Sequence, residues 1–101
     1  MKFEYTEPQK EAMKKIADYH LEHNFKAQFL QAIQELAELQ VEITKWKLGK
    51  ANYEDLLDEI FDAEFMILQL KMMMITKPHD RTLWNQKVTK KIGRELMRHG
   101  L

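Results

Sequence analysis

Two pairs of carboxylates, each with a spacing of three positions, are the residues in this sequence best suited to chemistry. Glu35 and Glu38 form the first pair, and Glu59 and Asp62 form the second. Residues three or four apart lie on the same face of an α-helix, so each pair points in one direction. Such a set of acids is often a solvated helix face, but converging carboxylate oxygens are also the ligands that Mg²⁺ and Mn²⁺ prefer.

The numbering of the two pairs predicts that they face each other. If the helices that carry them fold back on one another, residues at equal depth have numbers with a constant sum. The residue numbers of Glu35 and Asp62 add up to the same total as those of Glu38 and Glu59. The axis of this hairpin falls just before Gly49, a residue suited to the position that follows a helix. We therefore expect the four carboxylates to converge if both faces point inward.

Convergence of four acids is electrostatically unfavourable. At an effective dielectric near 20, two like charges about 6 Å apart repel by roughly 2 to 3 kcal/mol. The total for four charges is comparable with the roughly 5 to 15 kcal/mol that stabilises a domain. Divalent cations, protonation or basic side chains must neutralise the cluster. Carboxylate-bridged iron sites in bundles normally use two Glu-x-x-His pairs, and the sequence contains no such pair.

The elements that position these acids are predicted to be four helices in a single domain that spans residues 1–101. The chain has only three Gly and two Pro and is rich in helix-forming residues. The predicted helices run from about Glu7 to His23, from Phe25 to Leu48, from Asn52 to Thr76, and from a cap at Asp80 or Thr82 to Gly100. We expect Thr6, Asn24 and Asn52 to cap the first three. The fold is predicted to be all-α and four-helix bundle-like, with helices two and three as an antiparallel hairpin.

The third predicted helix is apolar around nearly its whole circumference between Ile60 and Ile75. A helix of this kind must be buried on all sides, which predicts a homodimer or homotetramer. Charged residues interrupt the apolar stretch, and it is too short and too polar for a membrane span. The absence of cysteine and the charged N-terminal sequence predict a cytoplasmic protein without a signal peptide.

The motif helices resemble a known family. Glu35-Leu-Ala-Glu38 and Glu59-Ile-Phe-Asp62, separated by twenty residues, are similar to the E-x-x-E and E-x-x-D motifs of the all-α nucleoside triphosphate pyrophosphohydrolases, the superfamily of MazG and the dimeric dUTPases. The flanking segments FLQAIQELAELQVEITKW and LLDEIFDAEFMILQLK also resemble the family's two motif helices. The resemblance covers roughly residues 28–71 well and 88–94 loosely.

The resemblance implies hydrolysis of a nucleoside triphosphate between its α and β phosphates, which gives a monophosphate and pyrophosphate. It implies Mg²⁺, or Mn²⁺, held by Glu35, Glu38, Glu59 and Asp62. Either Glu35 or Glu38 would orient or deprotonate the attacking water.

Other side chains are candidates for contacts with the substrate. Lys91 and Arg94 resemble a Lys and an Arg of the family's last helix and would bind phosphate. Lys45 would contact phosphate or neutralise the acids, an ion pair being the simpler interpretation. Gln28 and Gln31 lie on the carboxylate face of helix two and could contact the sugar or base.

Two other functional classes remain open at this point. A non-enzymatic dimeric helical module would pair the acidic faces with the basic face of helix four and needs no metal. Binding of nucleic acid through helix four is disfavoured because the net charge is zero and no aromatic and basic surface motif is present.

Overall fold

The chain forms four α-helices in the computed structural model, which describes residues 4–101. They are α1 (Glu7–His23), α2 (Phe25–Lys47), α3 (Tyr53–Met74) and α4 (Pro78–Arg98). The described part of the chain contains no β-strand. α2 and α3 pack closely against each other, and α1 packs against both. The prediction of an all-α, bundle-like fold with a hairpin of helices two and three is confirmed.

Capping side chains account for the first and third helix starts. The Thr6 hydroxyl accepts a hydrogen bond from the Gln9 amide (3.2 Å), and the Gln9 side chain accepts one from the Thr6 amide (2.8 Å). This is a capping box, and Pro8 is tolerated in the first turn. The side chain of Asn52 accepts a hydrogen bond from the Glu54 amide (2.8 Å) and starts α3 as predicted.

The turn between α2 and α3 sets the depth at which their residues meet. Gly49 adopts a positive φ of 71°, a conformation that glycine takes without steric cost. The Lys50 amide then donates to the Lys45 carbonyl (2.8 Å), and the Gly49 amide donates to the Trp46 carbonyl (3.0 Å). These two bonds define a Schellman motif. The hairpin therefore turns at the residue that the numbering of the acids had indicated.

Helix boundaries differ from the predictions at the ends of α2, α3 and α4 and at the start of α4. α2 ends at Lys47, α3 at Met74 and α4 at Arg98, each one or two residues early. Asn24 precedes α2 as expected, but its side chain makes no capping hydrogen bond. α4 begins at Pro78 rather than after Asp80 or Thr82. Asp80 acts from inside the first turn, where its carboxylate accepts from the amides of Lys77 (3.0 Å) and Thr76 (3.3 Å).

Those two hydrogen bonds have an electrostatic consequence at Asp80. The backbone bond from Lys77, followed by smaller contributions that include the bond from Thr76, lowers the pKa of this carboxyl. The ionised form is therefore favoured in the folded chain, and it satisfies backbone donors that the start of α4 would leave free.

The core between α1, α2 and α3 consists of small and flexible side chains. The buried apolar residues are Ala17, Ala32, Ala63, Met66 and Met73. Alanine lets helix axes approach closely, and methionine fills irregular gaps between them. Gln28 on α2 and Gln69 on α3 are also buried, so polar groups lie inside the helix interface.

The fourth helix has no extended interface with α1, α2 or α3, the other helices that the structure describes. It meets α3 near the corner, where the Lys71 ammonium lies 4.9 Å from the centre of the Trp84 ring. The radius of gyration is 16.2 Å, against about 13 Å for a compact chain of this length. Within residues 4–101, no helix has the length and apolar character needed to cross a bilayer.

Replacement of the α3 cap should loosen the hairpin. We expect Asn52→Ala to lower the free energy of unfolding by about 1 kcal/mol, because the Glu54 amide loses its acceptor. Asn52→Asp retains an acceptor and should change stability by much less. Urea denaturation of the three proteins measures both effects, and equal stability of the Ala and Asp variants would contradict this role.

Candidate metal centre

The hairpin brings acids from α2 and α3 together. Glu35, Glu38 and Glu59 each offer one carboxylate oxygen, and the three oxygens lie within 4.8 Å of one another. Glu35 and Glu59 are half-buried, whereas Glu38 is exposed. The predicted convergence of the two motif helices therefore exists for three of the four acids.

Two oxygens of this triad are buried and have no hydrogen-bond partner among the described residues. They are Oε2 of Glu35 and Oε2 of Glu59. The other oxygen of Glu35 accepts a hydrogen bond from the side-chain amide of Gln31 (2.8 Å). A buried carboxylate oxygen without a partner is destabilising, and a bound cation would satisfy it.

Every charged side chain that is resolved to act on Glu59 is negative. Burial raises the pKa of Glu59, and so do the negative charges of Glu38, Asp62, Glu35 and Glu42. None of the influences resolved on this carboxyl comes from a basic side chain. Ionised Glu59 is thus held among like charges without a compensating cation from the described chain.

Asp62 lies beside the triad rather than within it. Burial raises the pKa of Asp62, with further contributions from the charges of Glu35 and Asp58. Glu35 is therefore close enough to act on Asp62 electrostatically. Asp62 can supplement the triad as a fourth ligand or receive a proton when the cluster is crowded.

These residues fit a small divalent cation. Mg²⁺ and Mn²⁺ prefer oxygen ligands, and Mg²⁺ binds them at about 2.0–2.1 Å in octahedral geometry, which places neighbouring ligand oxygens roughly 3 Å apart. The triad oxygens, within 4.8 Å of one another, need only a small inward movement to reach that spacing. The two unpartnered oxygens give the same indication independently.

An open cleft gives access to the cluster. Its lining includes Ala37 and Val41 together with Glu38, Glu42 and Glu59, and its volume is about 260 Å³. Glu42 is paired with Lys45, whose ammonium lies 3.3 Å from a Glu42 oxygen. In this structure, Lys45 thus forms the ion pair that was the simpler of its two predicted roles.

The predicted phosphate-binding residues lie elsewhere. Lys91 and Arg94 border an open cleft on α4 together with Glu95 and Arg98. Because α4 has no extended interface with α2 or α3, one copy of the chain does not bring these bases to the carboxylates.

Three glutamines extend the polar face of the hairpin. Gln31, predicted to contact sugar or base, donates a hydrogen bond from its side-chain amide to Glu35 in this structure. Gln28 is buried, as is Gln69 on α3, and Oε1 of Gln69 has no partner among the described residues. Sequence reasoning did not select Gln69. The residue numbers could have indicated it, because those of Gln28 and Gln69 add up to the same total as those of each acid pair. This equality predicts that the two glutamines face each other across the hairpin.

In comparisons with known proteins, the chain matches no family model, no curated protein and no solved structure. The resemblance of its motif helices to the all-α pyrophosphohydrolases therefore stays a prediction.

Neutralisation of Glu59 should stabilise the metal-free protein. The raised pKa means that the folded state holds its proton to higher pH than the unfolded state. The free energy of unfolding therefore falls as pH rises from the ordinary carboxyl pKa to the raised one, and the penalty is complete above it. We expect Glu59→Gln to be about 1 kcal/mol more stable than the parent at pH 7 in a chelator.

The same comparison below the ordinary carboxyl pKa should show no difference, because Glu59 is then protonated in both states. Glu22→Gln, on the exposed surface of α1, is the matched control and should be neutral at both pH values. Urea titrations measure these differences, and a Glu59→Gln variant that is less stable at pH 7 would contradict the description of the cluster.

Proposed function

We propose that this protein is a nucleoside triphosphate pyrophosphohydrolase dependent on Mg²⁺. In the reaction, a water oxygen forms a bond to the α phosphorus and the bond from this phosphorus to the oxygen bridging to the β phosphorus breaks. The products are a nucleoside monophosphate and pyrophosphate, and the water proton passes to a carboxylate.

The observation that carries this proposal is the convergence of Glu35, Glu38 and Glu59 with buried oxygens left unpartnered. A triphosphate is a polyanion, so a bare carboxylate cluster would repel it. Cations held between the carboxylate oxygens and the phosphate oxygens would convert that repulsion into attraction. The cluster thus suits a phosphate substrate only when it holds metal, which agrees with the chemistry that the motif resemblance implies.

Glu35, Glu38, Glu59 and Asp62 are the residues that would hold the ion. When bound, Mg²⁺ would supply charge neutralisation of phosphate oxygens and stabilise the leaving pyrophosphate. The proposed substrate chemistry thus explains why hard oxygen ligands alone are gathered on the hairpin.

The carboxylates differ in what they can do with a water molecule. Glu35 is held by Gln31 through one oxygen, which fixes its orientation. Glu38 is exposed and borders the open cleft, so water and substrate can reach it. This contrast favours Glu38 as the group that accepts the proton and Glu35 as the more rigid member of the pair.

A non-enzymatic helical module is the second candidate, favoured by the apolar surface that the chain leaves exposed. That function explains the apolar surface but leaves the unpartnered oxygens of Glu35 and Glu59 without a purpose. A response to divalent cations separates the two functions.

Divalent cations should stabilise the folded protein. Because Mg²⁺ or Mn²⁺ would bind the assembled cluster and not the unfolded chain, millimolar ion should raise Tm by several degrees in a thermal melt. Glu38→Gln should remove most of this increase, while Glu22→Gln should retain it. A wild-type protein whose Tm ignores both ions would favour the helical module.

Incubation with each common ribo- and deoxynucleoside triphosphate tests the reaction itself. With Mg²⁺ we expect pyrophosphate as the product, and we expect Glu38→Gln to lower kcat by about a hundredfold or more, as loss of a general base does. Glu22→Gln again serves as the control. Release of orthophosphate would show that a different bond is cut, and no release from any triphosphate would exclude the proposed reaction for these substrates.

A further inference from the structure

The single chain exposes more surface than a folded chain of its size should. Its solvent-accessible surface is 8585 Å², whereas a compact monomer of this mass exposes about 6,000 Å². The excess, roughly 2,500 Å², is what one protomer loses in a large obligate dimer interface. The chain therefore has the surface of a subunit rather than of a complete globule.

The exposed apolar side chains of α3 form a regular row along the helix. Tyr53, Ile60, Ile67 and Met74 recur every seven residues, and all four are exposed. A seven-residue apolar repeat is the pattern by which one helix packs along another. The row runs the length of α3, so a helix of similar length is needed to cover it.

The fourth helix offers the complementary row. Trp84, Val88, Ile92 and Leu96 recur every four residues, and all but half-buried Val88 are exposed, with Ile92 at 56%. A helix of this length owes most of its stability to packing of its apolar face. α4 finds no such packing among residues 4–101 of its own chain.

Charge is distributed in the same complementary way. The segment 35–64 carries nine acids and three bases, and the segment 77–101 carries seven bases and two acids. The basic side chains Lys87, Lys91, Arg94 and Arg98 follow one edge of the apolar face of α4. On the hairpin, in turn, the buried carboxylate oxygens Oε2 of Glu35 and Oε2 of Glu59 have no hydrogen-bond partner among the described residues.

We infer that α4 of a second copy packs on the α2–α3 hairpin and places its Lys91 and Arg94 beside the carboxylate cluster, so that each site is shared between two copies. The two copies exchange their fourth helices reciprocally, as two-fold symmetry requires. The shared packing follows from surface and charge alone. The role of Lys91 and Arg94 in binding substrate phosphates rests, in addition, on the proposed function.

Cross-linking of isotope-mixed protein tests the packing without any assay of activity. Unlabelled and ¹⁵N-labelled chains are mixed under conditions that allow exchange and are treated with a carbodiimide, which joins lysine to a carboxylate in contact. We expect peptides that link Lys91 to an acid of α2 or α3 in mixed-isotope form. Lys14 and Asp18, 3.5 Å apart on α1, provide the control. Because both residues belong to the same helix of one chain, their cross-link must always be single-isotope.

Light scattering of the same sample should give at least twice the mass of one chain. A monomer, or Lys91 links that are single-isotope only, would overturn the inference. Single-isotope links would show that α4 folds onto its own hairpin, and a monomer without Lys91 links would leave α4 for another partner such as nucleic acid. Lys91→Arg keeps the charge, removes the reactive amine and should eliminate these cross-links.

Ile92→Glu tests the apolar contact, since it places a charge in the centre of the row on α4. We expect it to lower the dimer affinity by at least a hundredfold in sedimentation experiments. Gln86→Glu adds the same group on the opposite face of α4 and should leave assembly intact. If Ile92→Glu fails to fold, the wild-type cross-linking result still decides, and a folded Ile92→Glu dimer of unchanged affinity would contradict the packing.

Complementation tests whether the shared site is the catalytic one. Glu38→Gln and the double variant Lys91→Ala with Arg94→Ala should each be inactive alone. In an equal mixture, half of the dimers are mixed and one of their two sites is intact, so about a quarter of the wild-type activity should return. If the mixture regains no activity, the bases and the acids of each site come from the same copy, which would contradict the shared site.

The two sets of results are independent. Mixed-isotope links without pyrophosphate release would retain the shared packing and reject the proposed reaction. Pyrophosphate release with single-isotope links only would retain the reaction and reject the exchange of α4.

Discussion

The antiparallel pairing of α2 and α3 in one register is the constraint on which the rest of the structure depends. The Schellman turn at Gly49 and the cap at Asn52 fix where the chain reverses. Buried Ala32 and Ala63 allow the two backbones to approach. A shift of one residue on either helix would rotate its acids by about 100° and separate the triad. The close approach that forms the site is also what crowds its negative charges.

The helices themselves follow from local sequence signals, which is why most of them could be predicted. Thr6 with Gln9 and Asn52 with Glu54 are short-range interactions whose geometry does not depend on the rest of the fold. The start of α4 was missed because an aspartate can satisfy amide groups either from the cap position or from the first turn. Asp80 does the latter, with Pro78 already helical, and composition does not distinguish the two arrangements.

The site, like the helices, could be predicted from the sequence only in part. Periodicity and the constant sum of residue numbers predicted that Glu35, Glu38 and Glu59 would converge, since both depend only on helix geometry. They could not predict that Asp62 lies outside the tight triad, because side-chain rotamers and depth of burial decide that. Gln69 was overlooked because a single polar residue in an apolar run resembles a defect until its burial is known. The amphipathic pattern of α4 indicates that it must pack, but it contains no information on which copy it packs against.

In the proposed assembly and function, folding, assembly and ion binding would all act on the same group of charges. In the proposed shared arrangement, Lys91 and Arg94 of one copy would partly neutralise the carboxylates of the other, so the assembled protein would tolerate the cluster before any ion is bound. A bound divalent cation would take over that neutralisation and weaken the attraction between the bases and the acids. The basic side chains would then be free to contact phosphate oxygens at the same place. One charge imbalance along the sequence, acidic in the middle and basic at the end, can thus hold two copies together and also prepare a site for a polyanion.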